Sequence, residues 1–165
     1  PNTMFLGRTK IDMIYPRASH GLGEGLSTNQ RSLVFRISNG VHSLLLTGDT
    51  DTKMEQLILG NLEPTQLLKV AHHGSVTSSS ASFLEKVQPC LAVVSSGRSG
   101  LEHFPHPSVL RRFEQRRIPL FQTSQRGGLR FKASPGGWYV ESSLESPETV
   151  ECLARVVTPP NAHPD

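Results

Sequence analysis

Leu44-Leu45-Leu46-Thr47-Gly48-Asp49 and Leu67-Leu68-Lys69-Val70-Ala71-His72-His73-Gly74-Ser75 decide how this chain reads. Each is an apolar run of strand length that ends in a metal- or proton-handling side chain on a glycine turn. Both suit buried strands that deliver a polar group at their C-terminal ends. A carboxylate and imidazoles arriving together at one sheet edge are a common way to build a hydrolytic metal site.

Working outward, residues 10–15 (KIDMIY) alternate and stop at Pro16, which predicts a strand. Residues 17–28 are glycine-broken and predict an exposed loop. Residues 31–38 predict a strand, and Asn39 with Gly40 predicts a hairpin returning through residues 41–47. Asp51 predicts a helix cap, with Met54, Leu57 and Ile58 on the inward face and Gly60 as the stop. A strand at 66–71 leads through a serine-rich loop into a helix near 81–87. There Ser82 and Glu85 have capping-box spacing, and Phe83, Leu84 and Val87 form the apolar stripe. A strand at 91–95, a polar loop at 97–107, a helix at 108–117 and closing strands at 118–123, 128–132 and 138–140 follow. The order predicts a mixed α/β fold, its sheet covered by helices on at least one face. Residues 10–140 read as the domain and 141–165 as a Ser-, Glu- and Pro-rich tail, with one further element possible at 150–157.

The chain has 165 residues, enough for one domain with a sizeable core, and a mildly basic net charge of +3. That charge is compatible with an anionic partner without requiring one. No apolar stretch approaches the roughly 20 residues that span a bilayer. The spacing of Cys90 and Cys152 is neither that of a zinc ribbon nor of a disulfide framework, and Cys90, after Pro89 at the entrance of an apolar run, reads as a buried thiol. The chain opens on Pro1 without an initiator Met, as a piece of something longer would.

Asp49 can bind a divalent cation, or can be an ordinary turn residue. Neighbouring side chains on an extended segment point to opposite faces, so one of His72 and His73 reads as a ligand. The other reads as a general acid or substrate contact. Ser75, Ser78 and Ser79 sit where hydroxyls before a helix hold a phosphate, or simply cap the helix. His103 and His106 lie in a proline-stiffened loop and read as catalytic candidates, and Arg98 as a phosphate contact. Arg111, Arg112, Arg116 and Arg117 read as a solvated helix face, and His20 and His42 as incidental.

Taken together and in this order, Ser32-Leu33-Val34 after Asn29, LLLTGD at 44–49, LKVAHHGS at 68–75, Ser96 to Arg98, and His103 to Pro107 resemble one known pattern. It is similar to the metallo-β-lactamase-like domain of the ComEC family of DNA-internalisation and competence proteins. The resemblance covers residues 10–132. It implies an αββα sandwich with a dinuclear zinc or manganese site. Asp49 would be the bridging carboxylate and His73 the last ligand histidine. His72 would be its active-site neighbour, and His103 and His106 substrate contacts. Asn29 stands near where many relatives carry a further ligand histidine. The family's upstream ligand motif, of the form His-x-Asp/His-x-Asp-His, is absent from this sequence.

The resemblance therefore implies the C-terminal half of a phosphodiesterase or nuclease domain, inactive by itself. Single-stranded DNA would be its substrate, and a membrane-channel portion of the same protein would be its partner. The domain would be membrane-associated and outside the cytoplasm. Two alternatives stand beside this: a metallo-hydrolase of small phosphodiesters, and a metal-free structural or DNA-binding remnant.

Overall fold

The computed structural model describes residues 2–17, 25–97 and 104–152. Among the described residues ten strands are present: β1 (Thr3–Leu6), β2 (Thr9–Tyr15), β3 (Val34–Ser38), β4 (Ser43–Leu46), β5 (Leu67–Lys69), β6 (Leu91–Val94), β7 (Leu120–Gln122), β8 (Leu129–Ser134), β9 (Gly137–Ser142) and β10 (Glu148–Glu151). The helices are α1 (Thr52–Ile58), α2 (Ala81–Val87), α3 (Pro107–Gln115) and α4 (Thr123–Arg126).

Strands β1 to β7 form one seven-stranded sheet in sequence order, and β8 to β10 a separate three-stranded sheet. The fold is α/β with a mixed sheet, as the element order predicts. β1 to β4 pair antiparallel, and β4 to β7 pair parallel. Each parallel step needs a crossover, which α1, α2 and α3 supply. Successive crossovers of one hand, all stepping the same way across a sheet, put their helices on one face. The main core lies there: Leu45, Leu68, Val70, Ala92 and Val94 of the sheet region meet Met54, Ile58, Phe83, Leu84, Val87, Val109 and Phe113 of the helices.

Among the described residues, the small sheet covers part of the opposite face. Leu67, Leu91 and Phe121 pack against Trp138 and Val140 of the small sheet, with Leu44 and Val93 at the margin. Across β1 to β4, register and strand alternation put Met4, Ile11, Met13, Phe35, Ile37 and Leu46 on this same face. None of them belongs to either core, and Met4 is 59% exposed.

Several local expectations hold. Asp51 caps α1 by accepting from Met54 N at 3.0 Å. Asn39 closes the β3–β4 turn by accepting from Val41 N and His42 N. Pro107 opens α3.

Others are corrected. α1 buries Met54, Glu55 and Ile58, while Leu57 is 50% exposed. Ser80, not Ser82, caps α2 by accepting from Phe83 N at 3.3 Å. β1 precedes the first expected strand and pairs with β2. The expected loose tail continues β9 to Ser142 and adds β10. Cys90 is not a thiol: it forms a disulfide with Cys152 across 62 residues, with Cα atoms 5.7 Å apart. The bond ties the end of the small sheet to the residue preceding β6.

Candidate active site at the parallel strand ends

β4, β5 and β6 are adjacent and parallel, so the turns after them meet at one edge. That edge of an open sheet is where ligands usually bind. Asp49 follows β4, His72 and His73 follow β5, and Ser95 follows β6. The turns are stitched to one another: His72 N donates to Gly48 O at 3.1 Å, and the His73 ring Nδ1 lies 2.6 Å from Ser95 O.

The His72–His73 turn is unusual backbone. After β5 the chain enters a tight turn, Ala71–Gly74, in which His72 and His73 have φ of 47° and 53°. Left-handed backbone disfavours any side chain with a Cβ, and such strain persists only where the surroundings hold it. Here Gly74, at φ 80°, backs onto Pro105: a Cβ on Gly74 would lie 2.6 Å from Pro105 Cβ. His106 N also donates to Gly74 O at 2.8 Å. The turn thus swings both imidazoles to the same side, which an extended strand does not do. Their ring centroids are 6.5 Å apart, and each is within about 6.4 Å of the Phe104 ring.

The two rings differ in their partners. His73 is exposed, and a proton on Nδ1 donated to the Ser95 carbonyl leaves the Nε2 lone pair open among the described residues. Metal-binding histidines are usually oriented this way, by a backbone carbonyl on the other nitrogen. His72 is half-buried. Its Nε2 lies 3.3 Å from Asn29 Nδ2, and its buried Nδ1 has no hydrogen-bond partner among the described residues.

Asp49 is half-buried, its N donating to Ser32 Oγ at 2.9 Å. Lys69, at the end of β5, is coupled to it electrostatically. Burial pushes the Lys69 ammonium below its usual pKa, and the Asp49 carboxylate pulls it back up in part. Lys69 is the site residue that sequence reading missed. Its signal was a lysine inside an otherwise apolar strand.

The serine loop faces inward. Ser78 is fully buried and donates to Ala71 O and Ser75 O, both at 3.0 Å. Ser79 is 1% exposed and Ser75 8%. Glu55 of α1 sets this arrangement, accepting from Ser79 N at 2.6 Å and Ser80 N at 2.9 Å. Burial raises the Glu55 pKa, while those hydrogen bonds and nearby Arg112 act to lower it. Arg112 is not simply solvated: its Nη1 donates to Ser78 O and Ser79 O. The loop is thus held by a buried carboxylate on one side and a guanidinium on the other.

His106 caps α3, its Nδ1 accepting from Ser108 N at 3.2 Å. His42 is not incidental to the fold: its Nε2 lies 2.9 Å from Ser134 O, and its ring meets Trp138 edge-on. Arg98, His103 and His20 lie outside the described residues. Among the described residues, no three His, Cys, Asp or Glu side chains stand together as a metal-ligand set. No described helix is long and apolar enough to cross a membrane.

No protein-family model matches the chain. It is similar to recombination protein 2 of Haemophilus influenzae, at 39% identity over 102 residues, covering 62% of this chain and 13% of that protein. It is 40% identical over 118 residues to competence protein ComA of Neisseria gonorrhoeae, covering 69% and 17% respectively. It is 35% identical over 109 residues to ComE operon protein 3 of Bacillus subtilis, covering 64% and 14%. The chain thus spans between 13% and 17% of the length of these three relatives. Over most of its own length it is similar to competence-type proteins, consistent with the ComEC-related group that its motifs resemble.

Proposed function

We propose that this chain is the C-terminal half of a metallo-β-lactamase-like domain in a DNA-uptake protein, acting there as a metal-dependent phosphodiesterase or nuclease. The observation that supports the reading is the arrival of Asp49 and of Lys69 and His73 at the ends of the adjacent parallel strands β4 and β5, with His73 Nδ1 engaged by the Ser95 carbonyl. The names of the relatives, competence protein among them, support the setting.

The half-covered sheet supports the division of the domain. Met4, Ile11, Met13, Phe35, Ile37 and Leu46 make an apolar face of the kind that a further β layer covers in a sandwich. Among the described residues the donors do not complete a hydrolytic metal site, which takes at least three protein ligands and a water. In this reading Asp49 and His73 are two of the ligands, and the rest come from other parts of a longer protein. A divalent cation held there would polarise a phosphoryl oxygen and activate water. This chain's own part is to place one carboxylate and one imidazole at a fixed edge, with the Lys69 cation coupled to the carboxylate. A C-terminal half of this kind would work outside the cytoplasm beside a membrane channel, on single-stranded DNA. The Cys90–Cys152 disulfide favours such an oxidising compartment.

The test is metal binding and cleavage measured on the isolated chain and on the full-length protein. The isolated chain should bind zinc or manganese weakly and cleave nothing. The full-length protein should degrade single-stranded DNA with manganese, and Asp49→Ala should abolish this. Metal-dependent hydrolysis by the 165-residue chain alone would overturn the half-domain reading. Cleavage of small phosphodiesters but not DNA would overturn the nuclease reading.

A further inference from the structure

We infer that Asn29 is a positioning residue that fixes the tautomer of His72 and thereby separates the roles of the two adjacent imidazoles. The inference deepens the proposed function and rests on it for its meaning, though its geometry stands alone.

Residues 29–32 grip the site from outside the parallel sheet. Asn29 opens a short 3-10 turn, Asn29–Arg31, in the connection between β2 and β3. Three side chains of this segment each hold a different part of the edge. Ser32 Oγ accepts from Asp49 N. Gln30 Nε2 donates to the capping carboxylate of Asp51 at 2.8 Å. Asn29 Nδ2 reaches His72 Nε2 at 3.3 Å. The approach of Ser32 is close: a Cβ on Gly48, which has φ 55°, would lie 2.7 Å from Ser32 Cβ.

A neutral imidazole has one donor nitrogen and one acceptor. An amide N–H given by Asn29 makes His72 Nε2 the acceptor and puts the ring proton on Nδ1. That nitrogen is buried without a partner, so the Asn29 contact is the ring's only hydrogen bond among the described residues. The His72 lone pair is then spent inside the protein. His73 is arranged the other way, with Nδ1 engaged by Ser95 O and Nε2 open. Two neighbouring histidines on one strained turn therefore differ in what they offer: His73 a ligand, His72 a fixed post.

Ring-nitrogen NMR of the 15N-histidine-labelled chain tests this, in wild type, Asn29→Ala and Asn29→Asp, with zinc added last. Wild type should show His72 as a single Nδ1–H tautomer. Asn29→Asp presents only acceptors and should switch His72 to the Nε2–H tautomer, with His73 unchanged. Asn29→Ala should give a mixture of tautomers while the amide spectrum stays native. These responses report on the ring proton, which a merely structural Asn29 would not move. A His72 tautomer indifferent to both substitutions overturns the inference, as does zinc shifting His72 in place of His73. Zinc that shifts neither ring, with the tautomer switch intact, overturns the metal reading of the turn and leaves the Asn29 contact standing.

Discussion

His73 Nδ1 lies 2.6 Å from the carbonyl oxygen of Ser95, and this contact joins the turn after β5 to the end of β6. It orients an exposed ring that the backbone holds at φ 53°. A non-glycine residue in that conformation costs about 1–2 kcal/mol, against roughly 0.5–1 kcal/mol of extra chain entropy for glycine. His73→Gly should therefore leave stability unchanged or raise it by up to about 1 kcal/mol in urea unfolding. The same variant should lose zinc binding by calorimetry. A clear loss of stability would mean that the ring is structural.

Gly74 faces the opposite constraint. Its φ of 80° and the 2.6 Å approach to Pro105 leave no room for a methyl group. Gly74→Ala should cost about 1–3 kcal/mol through strain and displacement of the His106 segment. Denaturant unfolding measures the cost, and amide shifts in α3 should report the displacement.

Glu55 is the charge at the centre of the serine loop. Glu55→Gln keeps one acceptor and turns an NH2 group toward the second backbone N–H, so it should cost about 1–3 kcal/mol at neutral pH. Burial raises the folded pKa of this carboxyl above its usual 4.5, against the pull of Ser79, Ser80 and Arg112. The folded protein then holds the proton more tightly than the unfolded chain. The contribution of Glu55 to stability is thus greatest below 4.5 and falls as pH rises through the folded value. Acidifying from neutral toward that point should widen the gap between wild type and Glu55→Gln. A gap that narrows would contradict a raised pKa.

The Cys90–Cys152 bond closes a span of 62 residues. Chain-entropy reasoning puts the stabilisation from such a loop at about 4 kcal/mol. Paired Cys90→Ser and Cys152→Ser substitutions should lower stability toward that amount. Hydrogen exchange should show β10 losing protection first. An unchanged unfolding midpoint under reducing conditions would show that the small sheet is held by its apolar contacts alone.

Much of this fold was legible where short-range chemistry decides. Asn39 and Gly40 form a turn because the Asn side chain bonds the following amides. Asp51 caps α1 because its short carboxylate reaches the Met54 N–H of the first turn. The apolar runs at 44–46 and 67–68 become strands because they have no polar face. The face of α1 was less legible. Leu57 looks like a core residue by periodicity, yet Glu55 is inside because the Ser79 and Ser80 amides need an acceptor from another element. Ser82 had the spacing of a cap, and Ser80 won because the incoming loop fixes where α2 begins.

By itself the sequence determined the order of the strands from β2 to β9, the buried strands and the arrival of Asp49 and the His pair at strand ends, since propensity, turn chemistry and burial act over a few residues. The tertiary structure decided that β8 to β10 form their own sheet and that Cys90 meets Cys152. It also decided that His73 and not His72 keeps an open nitrogen. These depend on groups far apart in the chain: Ser95 for one ring, Asn29 for the other. Their meeting is set by the packing of whole strands, which no local pattern records.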